Sequence, residues 1–151
     1  MNYLADNTDG LSGREQLERI MTGHGAPHFS KLLGMRLIEI GEGTATFEAF
    51  PSERFYNPGG SVHGGFYATI IDSAMGCAVQ TKMGKGVRYG TIELKTNFIR
   101  RMTAATGRVI CRGWVVHMGR RMQTTEARLE DENGKLYGHG SGTFLVYEET
   151  I

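Results

Sequence analysis

One helix-length segment constrains the fold of this chain more than any other feature of its sequence. Between Gly64 and Lys82 the only charged residue is Asp72. Apolar side chains occupy positions 66, 67, 68, 70, 71, 74, 75, 77, 78 and 79. In a helix these positions cover most of the circumference, and a helix that is apolar nearly all round lies buried. The sequence therefore predicts a buried helix from Gly64 to about Thr81, around which the remaining chain must pack.

The segments on either side of this helix have the patterns of strands and turns. Gly41-Glu42-Gly43 and Asn133-Gly134 are hairpin signals. Strand-like runs cover residues 35–40, 44–50, 91–98, 108–118, 122–130 and 135–147. We therefore expect an α+β fold, in which a mostly antiparallel, curved sheet wraps around one long buried helix.

Three glycines in the last strand suggest how the helix and the sheet meet. Gly138, Gly140 and Gly142 are spaced two apart, so they point to the same face of the strand. They would form a trough into which a helix backbone settles, or they would merely permit curvature and bulges in a long strand. Both interpretations require a strongly curved sheet, and the sequence leaves both open.

The N-terminal segment has its own helix signal. Ser12-Gly13-Arg14-Glu15 fits a capping box, and Leu17, Ile20 and Met21 then fall on one helical face. A short amphipathic helix from about residue 13 to 22 is therefore expected, with a further helical turn ending at Gly34. Since 151 residues suit one domain of ordinary size, we expect an N-terminal arm over 1–26 and a single domain over 27–151.

Composition excludes several functional classes. Seventeen Lys and Arg against sixteen Asp and Glu give a net charge of +1, so there is no basic field for non-specific nucleic-acid binding. Cys77 and Cys111 cannot form a disulfide framework, and the five histidines show no metal-ligand spacing, so we expect no metal. No secretory signal is visible, and the most apolar stretch, 66–79, is too short to span a bilayer. We expect a soluble, cytoplasmic protein without a membrane partner.

Asp72 is the first candidate for chemistry. An unpaired buried carboxylate costs several kcal/mol, so Asp72 should be paired, protonated or functional. Pairing would require a cation from the sheet, such as Arg100, Arg101 or Arg120. The residue types alone leave the ion pair and the functional role open.

The start of the same helix offers hydrogen-bond donors. His63-Gly64-Gly65 precedes it, and the first free N–H groups of a helix suit an oxyanion that develops on a carbonyl. A simple glycine turn would look the same. Asn57 could donate or accept nearby, although Asn57-Pro58-Gly59-Gly60 is also an ordinary turn.

Taken together, Asn57-Pro-Gly-Gly-Ser-Val-His63-Gly64-Gly65, followed by Asp72 inside an apolar helix, resembles the PaaI-like branch of the hot-dog thioesterases. The likeness covers about residues 28–148, including Gly119-Arg120-Arg121 and Asn133-Gly134-Lys135. It implies the hot-dog fold and hydrolysis of an acyl-coenzyme A (acyl-CoA) thioester to a carboxylate and free CoA. A thioester carbonyl is already electrophilic, so one base and an oxyanion site suffice without a metal or cofactor.

The resemblance also implies a role for each matching residue. Asp72 would act as general base on water or as nucleophile, and the backbone N–H of Gly64 would polarise the thioester carbonyl. Asn57 and His63 would shape the oxyanion site and position the substrate, and Thr91 would help to hold the water. The remaining candidates for substrate binding are Gly65, Phe66, Arg100 and Arg120. Candidates for the CoA phosphates are Arg100, Arg101, Arg120 and Arg121, although basic residues at strand ends are more often only solvated.

Two other functions stay open alongside hydrolysis. Hot-dog domains also serve as acyl-CoA-binding modules without turnover, which the intact Asp72 argues against. Hot-dog hydratases acting on enoyl thioesters pair a histidine with a carboxylate about five residues later. Position 68 is Ala68, so that arrangement is missing here.

One chain is not expected to catalyse alone. Gly64 and Asp72 are eight residues apart, which on a helix is about 12 Å of rise and roughly 80° of rotation. The attacking oxygen and the carbonyl must approach within about 3–3.5 Å. A two-fold partner with an antiparallel helix would bring its Asp72 beside Gly64 and create two shared sites; otherwise a loop donor of the same chain binds the carbonyl. The resemblance implies the dimer, usually paired into a homotetramer.

Overall fold

The protein is described by a computed structural model over residues 10–148, in which three α-helices and six strands are found. The helices are α1 (Gly13–Met21), α2 (His28–Leu33) and α3 (Gly64–Gln80). The strands are β1 (Arg36–Gly41), β2 (Thr44–Ala49), β3 (Val87–Phe98), β4 (Val109–Met118), β5 (Met122–Asp131) and β6 (Leu136–Glu148). All pairs of neighbouring strands are antiparallel, in the order β1-β2-β4-β5-β6-β3. The α+β architecture expected from the sequence is confirmed.

Helix α3 lies against one face of this sheet and supplies much of the core. Its fully hidden side chains are Ile70, Ile71, Ala74, Met75, Ala78 and Val79. They meet inward-facing residues of several strands, among them Leu129 of β5 and Phe144 of β6. Burial of this apolar surface is the main force that holds helix and sheet together.

Glycines let α3 approach the sheet closely. A Cβ atom on Gly140 would collide with the Ile71 side chain, and one on Gly142 would lie 3.1 Å from Cε of Met75. The β6 glycines therefore form a trough toward α3, but side chains of α3 fill it, and the expectation that the helix backbone settles there is wrong. The helix backbone settles instead over Gly113 of β4, where a Cβ would lie 2.5 Å from the carbonyl of Ala74.

Strand β3 departs from the sequence prediction in two ways. It begins at Val87 rather than at residue 91. It also carries an irregularity between Thr91 and Glu93 where it pairs with β6. The loop over 52–62 contains a short 3-10 helix (Glu53–Phe55) and a bridge between Tyr56 and Val62.

The N-terminal helix α1 packs against the end of α3. Its predicted capping box is present, since Ser12 N–H donates to Glu15 at 2.6 Å and Glu15 N–H donates back to Ser12. Leu17 is fully buried in the core, and the N–H of Gly13 donates to the Met83 carbonyl at 2.9 Å. Over residues 10–148, no helix is both long and apolar enough to cross a membrane.

Candidate active site

Asp72 lies in the middle of α3, opposite the first half of β3. The Thr91 hydroxyl donates a hydrogen bond to Oδ1 of Asp72 at 3.0 Å. Burial raises the pKa of the Asp72 carboxyl above its ordinary value, while the bond from Thr91 acts in the opposite direction. None of the cations in the described part of the chain forms an ion pair with it. The alternative of an ion pair with Arg100, Arg101 or Arg120 is therefore wrong for this chain by itself.

Asp72 and Thr91 line a cavity of about 410 Å³ whose remaining walls are largely apolar. Those walls are formed by helices α1 and α3, by strands β1, β2 and β3, and by the segment between α1 and β1. The apolar lining residues are Leu17, Ile20, Ala26, Pro27, Met35, Leu37, Phe47, Cys77 and Tyr89. A carboxylate at the wall of an apolar cavity is the arrangement expected for a general base or nucleophile that acts on a substrate with an apolar group.

Three cavity residues next to Asp72 were not singled out in the sequence. Ser73, Gln80 and Tyr89 line the same cavity, and the Tyr89 hydroxyl donates to Oε1 of Gln80 at 3.2 Å. A signal for Tyr89 was present, since it lies two residues before Thr91 in a strand and therefore on the same face. Gln80 lies eight residues after Asp72, which is roughly 80° around the helix, so its spacing gave no comparable signal.

Cys77 is also on the wall of this cavity, yet it is not a nucleophile. Burial, and secondarily the negative charge of Asp72, raise the pKa of the Cys77 thiol to about 12. At neutral pH it stays a neutral thiol, and only the thiolate is a strong nucleophile. No group of three or more His, Cys, Asp and Glu side chains within residues 10–148 is arranged to hold a metal ion.

The start of α3 presents one unused N–H group. His63 caps the helix, because its Nδ1 accepts the N–H of Gly65 at 2.9 Å, and its carbonyl accepts the N–H of Phe66. Among described residues no acceptor is found for the N–H of Gly64, the first residue of the helix. A free N–H at a helix N-terminus is suited to bind a carbonyl oxygen as it gains negative charge.

The loop before His63 holds this helix start in place. The N–H of His63 donates to the Phe55 carbonyl at 2.7 Å, and the N–H of Val62 donates to the Met102 carbonyl. Oδ1 of Asn57 accepts the N–H of Gly59 at 2.9 Å, which is ordinary turn chemistry. The Asn57 side-chain oxygen therefore stabilises its own loop.

Within one chain, the two ends of the candidate site are separate. A second cavity of about 290 Å³ is lined by His63, Gly65 and Phe66 together with residues of α2. It shares no lining residue with the Asp72 cavity. The structure thus brings Asp72 and Thr91 together and brings His63, Gly64 and Gly65 together, but it does not join the two groups.

The candidate residues for CoA binding are also far apart. Arg100 follows β3, and its N–H donates to the Tyr137 carbonyl at one end of β6. Arg120 lies in the turn before β5, whose Met122 pairs with Leu145 at the other end of β6. Eight residues of strand separate those ends, which is roughly 26 Å. In one chain the two exposed arginines therefore do not form one cluster.

Comparisons with known proteins agree with this architecture. A family described as the thioesterase superfamily matches residues 59–137. A candidate esterase of Saccharolobus solfataricus is 30% identical over 126 residues, which cover 83% of this chain and 88% of that protein.

Solved structures give the same result. The phenylacetic acid degradation protein PaaI of Thermus thermophilus, solved as a point variant, is 27% identical with a TM-score of 0.71, covering 79% of this chain and 98% of that one. PaaI of Escherichia coli shares the fold with a TM-score of 0.78 at 21% identity, over 92% of this chain and 96% of that one. The fold is therefore the hot-dog fold, which the chain shares with these PaaI proteins, and the chain belongs to the thioesterase superfamily.

Proposed function

We propose that this protein hydrolyses an acyl-CoA thioester to a carboxylate and free CoA. The observation that carries the proposal is the environment of Asp72, the only charged residue of α3. It lies at the wall of an apolar cavity, its pKa is raised by burial, and its described partner is a hydroxyl rather than a cation. A carboxylate of raised pKa takes a proton from water more readily than an ordinary one.

The residues divide the work of hydrolysis between the middle of α3 and its start. Asp72 takes a proton from a water molecule, whose oxygen attacks the thioester carbonyl carbon, or it attacks that carbon itself and forms an anhydride that water then cleaves. The carbonyl oxygen becomes an oxyanion that accepts the N–H of Gly64. Collapse of this intermediate breaks the C–S bond, and the CoA thiolate takes up the proton.

Asp72 and Gly64 act together only when two chains meet. In one chain Asp72 lines one cavity and the neighbours of Gly64 line another, and the two cavities have no common residue, which supports a site shared between subunits. Strand β3 is an edge of the sheet, and it carries the exposed hydrophobic residues Ile92, Leu94 and Phe98, followed by exposed Ile99. A long unpaired edge strand is a template for pairing with another chain. A two-fold dimer through β3 places the antiparallel α3 of the partner alongside, and further pairing into a tetramer stays a prediction.

A thioester panel tests the proposed reaction. The protein is incubated with phenylacetyl-, benzoyl- and straight-chain acyl-CoAs, and released thiol is titrated with a chromogenic disulfide. We expect multiple turnovers with at least one substrate. Asp72→Asn, which keeps the volume and removes the base, should lower kcat by at least about 10²-fold.

Three results would contradict the proposal. Tight acyl-CoA binding without thiol release would indicate a binding module. If an enoyl-CoA is offered as a substrate, loss of its absorbance without thiol release would indicate a hydratase. Normal turnover of a correctly folded Asp72→Asn variant would remove Asp72 from the mechanism.

A further inference from the structure

The cavity beside Asp72 is closed on one side by residues that lie outside the matched family region, 59–137. Leu17 and Ile20 come from α1, and Pro27 and Ser30 come from the segment that follows it. We propose that this N-terminal segment, residues 17–30, forms one wall of the acyl pocket and that Ile20 limits the size of the acyl group. The inference rests on the proposed hydrolysis of acyl-CoA.

The Asp72 cavity is the better of the two cavities for the acyl group. It is larger and more enclosed than the cavity at the start of α3, and most of its lining is apolar. The pantetheine arm of CoA is polar and must reach solvent, so it suits the more open cavity at the start of α3. An acyl group that enters the Asp72 cavity leaves its carbonyl carbon beside the base, where attack takes place.

Helix α1 is attached firmly enough to act as a wall. The N–H of Gly13 donates to the Met83 carbonyl, and a Cβ at Gly13 would collide with the Gln80 carbonyl, so the two helices touch at their backbones. A chain of side-chain hydrogen bonds then runs from Tyr89 to Gln80 at 3.2 Å and from Gln80 to Gln16 of α1 at 3.0 Å. The wall is therefore tied to both α3 and β3.

The volume indicates the class of acyl group. Cavities for small-molecule ligands span about 300–1,000 Å³, and this one, at about 410 Å³, is near the lower limit. Such a cavity suits a single aromatic ring or an aliphatic chain of medium length. A long fatty acyl chain would have to displace α1.

The test compares kcat/KM across a series from butanoyl- to hexadecanoyl-CoA, with phenylacetyl-CoA added. Ile20→Ala should move the preference to longer chains, by about tenfold in the ratio of kcat/KM for two added methylenes. Ile20→Phe should move it to shorter chains and reject the aromatic substrate. Met21→Ala is the matched control, because Met21 is a neighbouring apolar residue of α1 that is 40% exposed and does not line the cavity.

The competing hypothesis is that the acyl group occupies the second cavity, at the start of α3. Phe29→Ala alters the lining of that cavity and so distinguishes the two hypotheses. A shift caused by Phe29→Ala, with unchanged selectivity in both Ile20 variants, would overturn the inference and leave the proposed hydrolysis intact. If the wild-type protein releases no thiol from any of these substrates, the proposed function fails and the inference fails with it. Thermal melts of every variant establish that a changed ratio does not reflect unfolding.

Discussion

At the scale of single residues, the N–H of Gly64 can be removed without disturbing the helix that presents it. Gly64 is the first residue of α3, a position at which proline is well tolerated. His63 before it has φ −61° and ψ 140°, which a residue preceding proline readily adopts. Gly64→Pro should therefore fold normally and lower kcat by about 10²–10³-fold, the loss typical of one oxyanion donor.

Gly64→Ala is the control for this substitution. It adds a Cβ, as proline does, and that atom would lie 2.8 Å from the ring of Phe98, which is exposed and able to move. It keeps the N–H, so we expect a much smaller loss in kcat. Equal losses in both variants would mean that crowding by the Cβ, and not the missing donor, explains the effect.

Thr91 adjusts the pKa of the proposed base. Only the ionised carboxylate can take a proton from water, so kcat/KM should fall as the pH drops through the pKa of Asp72. The hydrogen bond from Thr91 favours the ionised form and lowers that pKa. Thr91→Val removes the donor, so the acid limb of the pH–rate profile should move to higher pH. Thr91→Ser keeps the donor and should leave the limb in place; an equal shift in both variants would exclude this role.

The position of Asp72 should reduce stability at neutral pH. Since burial raises its folded-state pKa above the ordinary 3.8, stability is highest when the carboxyl is protonated and decreases as the pH rises through the folded-state pKa. Asp72→Asn removes the partly dehydrated charge, so its Tm at pH 7 should exceed that of the wild-type protein. The difference should vanish below the ordinary pKa. A lower Tm for Asp72→Asn at pH 7 would contradict this account.

The sequence identified Asp72 from a simple physical conflict, a single charge on an apolar helix. Thr91 was harder to place, because the alternation over 91–98 assigns it to the polar face with Glu93 and Lys95. The irregularity between Thr91 and Glu93 shifts the phase of the strand, so that Thr91 opposes Phe144 and points inward toward Asp72. A bulge of one residue leaves little trace in composition, and this is why the pattern alone was misleading.

At the scale of elements, contacts between glycines and α3 fix the distance between helix and sheet. A Cβ on Gly113 would meet the backbone at Ala74, whereas a Cβ on Gly140 would meet the Ile71 side chain. Overpacking a core costs about 1–3 kcal/mol, and a helix backbone yields less readily than a side chain. Denaturant unfolding should therefore show Gly140→Ala destabilised within that range and Gly113→Ala destabilised at least as much.

Gly90→Ala is the matched control for these substitutions. Gly90 lies in β3, and a Cβ there would meet nothing within 4 Å. Alanine should be neutral or stabilise the strand by up to about 1 kcal/mol, because glycine loses more conformational freedom on folding. If the three substitutions had equal effects, close packing against α3 would not explain the glycines.

The elements themselves were largely predictable, since long periodic segments carry strong signals. The buried helix, the capping box at Ser12 and Glu15, and the hairpin at Asn133-Gly134 all follow from local residue patterns. The early start of β3 at Val87 did not, because Gly84, Gly86 and Gly90 give that segment the composition of a loop. Long-range pairing with β6 overrides the local preference there.

At the scale of the whole molecule, the proposed reaction requires a second copy of the chain. One chain supplies a base at the middle of α3, on the wall of one cavity, and an N–H donor at its start, between two residues that line a different cavity. Strand β3, which contains Thr91, is an edge strand of the sheet. Its residue Phe98 lies beside Gly64 at the start of α3. The proposed catalytic unit is therefore a dimer, with a complete site at each of two equivalent places.

Complementation between two inactive chains distinguishes a site shared by two subunits from a site within one subunit. Asp72→Asn and Gly64→Pro chains carry different affinity tags, are mixed after dissociation, and the mixed dimer is purified through both tags. Shared sites leave one site of the mixed dimer damaged twice and the other intact, so about half of the wild-type activity should return. If a verified mixed dimer stays as inactive as its parents, each chain supplies its own complete site and the two-chain account is wrong.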